Sequence, residues 1–151
     1  MAPSDDLPCL GLGLYFEDLP VGRRFRTIGR TVTEPDIVNF VNATGMTEVL
    51  FTNLEFLAEE SDIKGRIAPG ALGYTFAEGL LVHATMQHTG FAFLEMELKI
   101  EGPLFAGDTI HVEVEVIAVA QPPGSGSGAH AQPGREAGRH RRAGLHTASH
   151  D

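Results

Sequence analysis

Cys9 is the chain's one cysteine. A single thiol excludes an internal disulfide framework and a thiolate metal cluster, and with no partner motif beside it Cys9 reads as an ordinary near-terminal thiol. No apolar run approaches the ~20 residues that a membrane span needs, so no membrane partner is expected. The first eight residues carry Asp5 and Asp6 and no basic residue, unlike a signal peptide, which makes the cytoplasm the expected location. Basic residues are scarce as well. Residues 1–120 hold seven Lys/Arg against eighteen Asp/Glu, a net of −11, whereas residues 121–151 hold four Arg against two acids, a net of +2. An acidic body repels a phosphate backbone, so a nucleic-acid partner is not expected.

The 151 residues suit one domain, and 42% hydrophobic with 21% charged residues is ordinary for a globular chain. The character changes near Ala120. Of the last 31 residues, 22 are Gly, Ala, Arg, His or Pro, and Leu145 is the one large aliphatic. Such a segment buries too little apolar surface to offset an ordering cost of ~1–2 kcal/mol per residue. Residues 120–151 therefore read as a disordered tail, with a Gly-Ser-Gly-Ser-Gly run at 124–128 in keeping. The abruptness of the shift resembles translation of GC-rich coding DNA in a wrong frame. Val/Ile-alternating strands in another frame past codon 119 would support that reading.

The body, residues 15–119, has clear periods. Arg24 to Val32 is predicted as a strand after a turn at Leu19-Pro20. Thr33 and Asp36 form an approximate capping box for a short helix with Ile37, Val38, Phe40 and Val41 on its apolar side, ended by Gly45. A second short helix is predicted over Leu54–Glu60, then a loop over Ile63–Pro69. A long helix follows from Gly70 to about Gln87, with Leu72, Phe76, Leu80 and Ala84 in one stripe widened by Gly73, Ala77 and Leu81. So broad an apolar arc predicts a largely buried helix. Gly70, Gly73 and Gly79 each cost ~1 kcal/mol there relative to Ala, which close packing against a sheet would explain. Leu94–Ile100 and Ile110–Val116 alternate apolar and polar residues as half-buried strands do. The order predicts an α+β fold, one buried helix against one antiparallel sheet.

Three segments carry a resemblance to a family: Phe40-Val41-Asn42-Ala43-Thr44-Gly45, Gly65-Arg66-Ile67-Ala68-Pro69-Gly70, and Gly102-Pro103-Leu104-Phe105-Ala106-Gly107-Asp108-Thr109-Ile110. In this order they resemble the MaoC-like (R-specific enoyl-CoA hydratase) family, over about residues 15–119. The resemblance implies a hot-dog fold, an antiparallel sheet wrapped around a central helix. It also implies an acyl-CoA thioester as ligand, no cofactor, and a homodimer or pairing with another hot-dog protomer. The family has further strands beyond the one ending near Val119, so the sheet is expected to be incomplete at its C-terminal end.

The family's motif places an Asp and a His shortly after Thr-Gly, where one takes a proton and the other gives one at a shared water. In this register Met46 stands in the Asp place, Glu48 in the Asn place and Phe51 in the His place. Neither Met46 nor Phe51 transfers protons. Gly70 keeps its place at the start of the central helix, where the resemblance implies a backbone N–H facing the thioester carbonyl, and a helix N-terminus suits a developing oxyanion. Two residues are candidates for the missing proton transfer. Glu48 lies in the right loop, against the plainer reading of a solvated carboxylate. His83 shares the stripe of Phe76 and Leu80, against the plainer reading of a hydrogen-bonded core histidine. Glu78 reads as a rim residue, His88 as a helix-end residue, and Asn53 and Glu55 as capping groups. His130, His140, His146 and His150 lack metal-ligand spacing, so no metal is expected. Three functions stay open: an enoyl-CoA hydratase or acyl dehydratase, a non-catalytic acyl-thioester-binding subunit, and a hot-dog thioesterase.

Overall fold

Four strands and four α-helices follow one another along the chain, as seen in a computed structural model that describes residues 8–89, 96–119 and 139–148. After a 3₁₀ turn at Phe16–Asp18 come β1 (Arg24–Arg26), β2 (Arg30–Thr31), α1 (Glu34–Thr44), α2 (Val49–Thr52), α3 (Leu54–Glu59), α4 (Gly70–Thr85), β3 (Thr109–Val119) and β4 (Arg139–Ala148). Among the described residues every strand-to-strand pairing is antiparallel and involves β3. Because β4 runs along almost the whole of β3, the short β1 and β2 share its other edge, with Phe25 opposite Val114 and Arg30 opposite Ile110.

The alternation in β3 builds the core. Ile110, Val112, Val114 and Val116 are all buried, while His111 and Glu113 are half-buried and Glu115 is exposed. Leu72, Leu80 and Leu81 of α4 join that apolar face, as do Ile37 and Val41 of α1, Val32, Ala68 and Leu104. This is the expected α+β layer of one long helix on an antiparallel sheet.

Helix α1 starts and stops where its residues dictate. Asp36 accepts hydrogen bonds from Thr33 N (2.9 Å) and Thr33 Oγ1 (2.6 Å), and Gly45 ends the helix at φ 71°. Val38, expected on the apolar side, is 39% exposed. Arg30 links three elements: its Nη2 lies 3.0 Å from Asp36 and its guanidinium carbon 3.6 Å from the Phe76 ring centroid on α4.

Several expectations need correction. The strand read over Arg24–Val32 is two strands: at Thr27 the side-chain hydroxyl takes the place of a backbone carbonyl in accepting from Val112 N (3.0 Å), while Thr27 N still donates to Val112 O (2.9 Å). Residues 96–100, within the strand read over Leu94–Ile100, carry no strand, and Met96, Leu98 and Ile100 are 45–60% exposed. Alternation predicts two-sidedness, but a strand also needs a neighbour's backbone, and these residues have no ladder among the described residues. Leu94 and Glu95 lie outside the described residues. Close packing does not account for every glycine of α4, since a Cβ on Gly79 would meet nothing within 4 Å. Within residues 120–151, read from sequence as a tail, β4 pairs with β3, with Glu115 opposite Arg142 and Val112 opposite Leu145. A ladder is made of backbone groups that every non-proline residue has, which composition does not reveal. The remaining tail residues lie outside the described set.

Candidate active site

The positions singled out from sequence lie in the loop from Gly45 into α2, in the lead-in to α4, and on α4 itself. The first loop runs from Gly45 into α2. Glu48 caps α2: its Oε2 accepts from Leu50 N at 2.7 Å, and the residue is exposed. A carboxylate one or two positions before a short helix satisfies the free N–H groups of the first turn, which fixes where Glu48 points. Met46 is 40% exposed. Phe51 packs against the hydrophobic core, so the place that holds histidine in the resembled motif is filled by a phenyl ring turned inward.

The second loop leads into α4. Ile67, Ala68 and Pro69 are buried, and Ala68 N donates to Leu104 O at 2.7 Å. The turn that follows Leu104 holds this lead-in from outside. Asp108 accepts from Phe105 N (2.9 Å), Gly107 adopts φ 99°, and Ala106 N donates to Arg66 O (2.9 Å). The helix begins at Gly70 behind Pro69, which has no side-chain acceptor to offer. The first N–H groups of a helix have no partner within it. Leu72 N reaches back to Pro69 O (2.9 Å), and Gly70 itself is exposed. A Cβ on Gly70 would stand 2.6 Å from Ile100 Cδ1, so this end of α4 has Ile100 leaning over it.

Arg66 joins the two loops, and sequence reading did not single it out. Its Nε lies 2.8 Å from both carboxylate oxygens of Glu34, in the first turn of α1, and its Nη1 lies 2.5 Å from the carbonyl of Phe51, near the end of α2. The side chain is 15% exposed. An arginine inside the Gly65–Gly70 segment was the available signal; its partners are 15 and 32 residues away and only the fold brings them in.

His83 lies far from Gly70. It lies thirteen residues beyond Gly70 on the same helix, about 20 Å along the axis at 1.5 Å per residue. It is exposed, because the last turns of α4 bury Leu81 and Thr85 and a residue two positions from Leu81 sits about 200° round the helix. Sharing the sequence stripe of Phe76 and Leu80 thus does not bury it. Glu78 is half-buried beside Tyr74, whose phenol is held above its ordinary pKa by burial and by the Glu78 charge. His88 lies past the helix end at φ 59°. Asn53 caps α3, its Oδ1 accepting from Phe56 N at 3.1 Å, with Glu55 in the first turn. An open depression lined by Arg26, Thr27, Ile28, Gly29 and His111 lies at the β1–β2 junction and includes none of Glu48, Gly70 or His83. Among the described residues no three His, Cys, Asp or Glu are grouped to hold a metal, and no helix is long and apolar enough to cross a membrane.

Known proteins resemble this arrangement. The family described as "MaoC like domain" matches residues 17–128. Protein MaoC of Klebsiella aerogenes is 32% identical over 101 residues, 66% of this chain and 30% of that protein, so the chain spans under a third of that relative's length. A MaoC-like dehydratase from Rhodospirillum rubrum superposes with a TM-score of 0.72 at 26% identity, covering 89% of this chain and 86% of the other. An (R)-hydratase from A. caviae, involved in PHA biosynthesis, superposes with a TM-score of 0.57 at 25% identity, covering 70% and 77%. The fold is the hot-dog fold expected from sequence.

Proposed function

Since the chain belongs to the MaoC-like domain family, we propose that it takes an acyl-CoA thioester at the start of α4 and that hydration of an enoyl thioester, or the reverse dehydration, is its inherited reaction. The observation that carries this reading is the exposed N-terminus of α4, where Pro69 supplies no side-chain acceptor and the Gly70 N–H stands at the positive end of a sixteen-residue helix. A thioester carbonyl accepting from that N–H gains most when its oxygen becomes negative, which lowers the barrier to adding water at the β-carbon.

Adding water also requires a group that takes a proton from it and a source of a proton for the α-carbon. Glu48 is the ionisable residue of the loop after Gly45, and one of its oxygens is engaged by Leu50 N. The other is the candidate base, and the proton it takes from water is the one it returns to the α-carbon. His83 is too far along α4 to act on a thioester held at Gly70. The Met46 and Phe51 replacements favour a second reading, a subunit that binds the thioester without turning it over, alone or beside another hot-dog protomer.

A crotonyl-CoA assay separates the two. Under the first reading wild type hydrates crotonyl-CoA, and Glu48→Gln lowers turnover by about a hundredfold or more, the usual contribution of a positioned base, while binding stays within a few fold. Binding without turnover establishes the second reading. Absence of binding sinks both.

A further inference from the structure

We infer that Arg66 is the positioning residue that sets the spacing between the Glu48 loop and the Gly70 N–H, an inference that rests on the thioester reading above. The two parts of the site belong to different segments, the loop into α2 and the start of α4. Glu48 is fixed to α2 by its own cap bond, and α2 is only four residues long. A helix of one turn has little stability of its own and takes its position from what holds its ends.

Arg66 holds one of those ends. Its guanidinium meets the Phe51 carbonyl, an end-of-helix acceptor with few partners inside so short a helix, while the same fork takes both oxygens of Glu34. The Arg66 main chain lies four residues before Gly70, tied through its carbonyl to Ala106 N and flanked by the Ile67–Phe105 bridge. Displacing Arg66 therefore moves α2 relative to the start of α4. Arginine suits this because a planar fork addresses a carboxylate and a carbonyl at once, and lysine, a single point charge, holds one well and the other poorly. The Arg66 side chain is 15% exposed and its bond to the Phe51 carbonyl is partly buried, whereas Glu34 is 51% exposed, so the carbonyl bond is the better shielded of the two.

Hydrogen exchange on the full chain, read peptide by peptide, together with titration and turnover of crotonyl-CoA, tests the inference. In Arg66→Ala, amides of residues 49–53 exchange about tenfold faster or more while those of 72–82 keep wild-type rates, and hydration of crotonyl-CoA slows about tenfold or more while its binding stays within a few fold, the effect of a misplaced base. Arg66→Lys recovers part of both. Exchange that rises equally across 72–82, or that stays unchanged at 49–53, overturns the inference, as does a lysine variant no better than alanine. Should Arg66→Ala not fold, Glu34→Gln decides: it leaves the Phe51 bond but loosens the fork, and unchanged exchange at 49–53 counts against the clasp. If wild type binds no crotonyl-CoA, the thioester reading fails, and the exchange pattern alone judges Arg66.

Discussion

Asp36 shows how much one side chain does at the boundary between sheet and helix. It closes the capping box of α1 and pairs with Arg30, which in turn lies on Phe76. The Thr33 hydroxyl, with the Thr33 N–H and Arg30 adding to it, holds the Asp36 carboxyl below its ordinary pKa, against a smaller opposing effect of burial. A carboxyl depressed in the folded state contributes stability above its unfolded pKa, and that stability is lost as pH falls through the folded value. Chemical denaturation between pH 7 and pH 2 is therefore expected to show wild type losing an acid-sensitive increment below about pH 4 that Asp36→Asn lacks. At pH 7 the substitution is expected to cost about 1 kcal/mol. Equal stability of the two proteins at pH 7 would show that the box and the Arg30 pair contribute nothing net.

Helix α4 is held differently at its two ends. Its start is left open at Gly70, whereas its far end is stitched to the N-terminal segment: Leu14 N donates to Thr85 O (2.9 Å) and Gly13 N to Gln87 O (2.7 Å). A Cβ on Gly13 would lie 2.6 Å from Thr85 O and 2.8 Å from Gln87 N, both backbone atoms that cannot swing aside. Gly13→Ala is expected to lower stability by about 1–3 kcal/mol, visible as a drop in Tm. Gly79→Ala on the same helix, where a methyl meets nothing, is expected to raise stability by up to about 1 kcal/mol through helix propensity. If both changes act in the same direction, the steric account of Gly13 is wrong.

The elements also show what sequence makes visible. The Thr33 cap, the Gly45 stop and the alternation of Ile110, Val112, Val114 and Val116 rest on neighbours within a few residues, and the structure reproduces them. The split between β1 and β2 depends on Thr27 meeting Val112, 85 residues away, and the exposure of His83 depends on which turns of α4 the rest of the molecule covers. Neither has a local signature. The candidate site was legible to the same degree. Gly70 and the substituted positions Met46 and Phe51 follow from motif register, but Arg66 becomes visible only when α1, α2 and the lead-in to α4 are brought together.

At the scale of the whole molecule, β3 organises everything else: β1 and β2 share one of its edges, β4 covers the other, and α4 lies on its apolar face. In register, Arg24 and Arg26 of β1 stand opposite Glu115 and Glu113 of β3. The proposed function puts a thioester at the other layer, against the Gly70 N–H at the start of α4.

That claim rests on one N–H group, and two substitutions isolate it. Proline is tolerated at the first position of a helix and removes only that donor, and Pro69 at ψ 136° already has the backbone that a following proline requires. Gly70→Ala adds the same first side-chain carbon against Ile100 Cδ1, the movable end of a side chain, but keeps the N–H. Titration of crotonyl-CoA into wild type, Gly70→Ala and Gly70→Pro is expected to show alanine within a few fold of wild type and proline weaker than alanine by about tenfold or more, as for a lost hydrogen bond to a polarised carbonyl. Proline and alanine variants that bind crotonyl-CoA equally well would contradict the account.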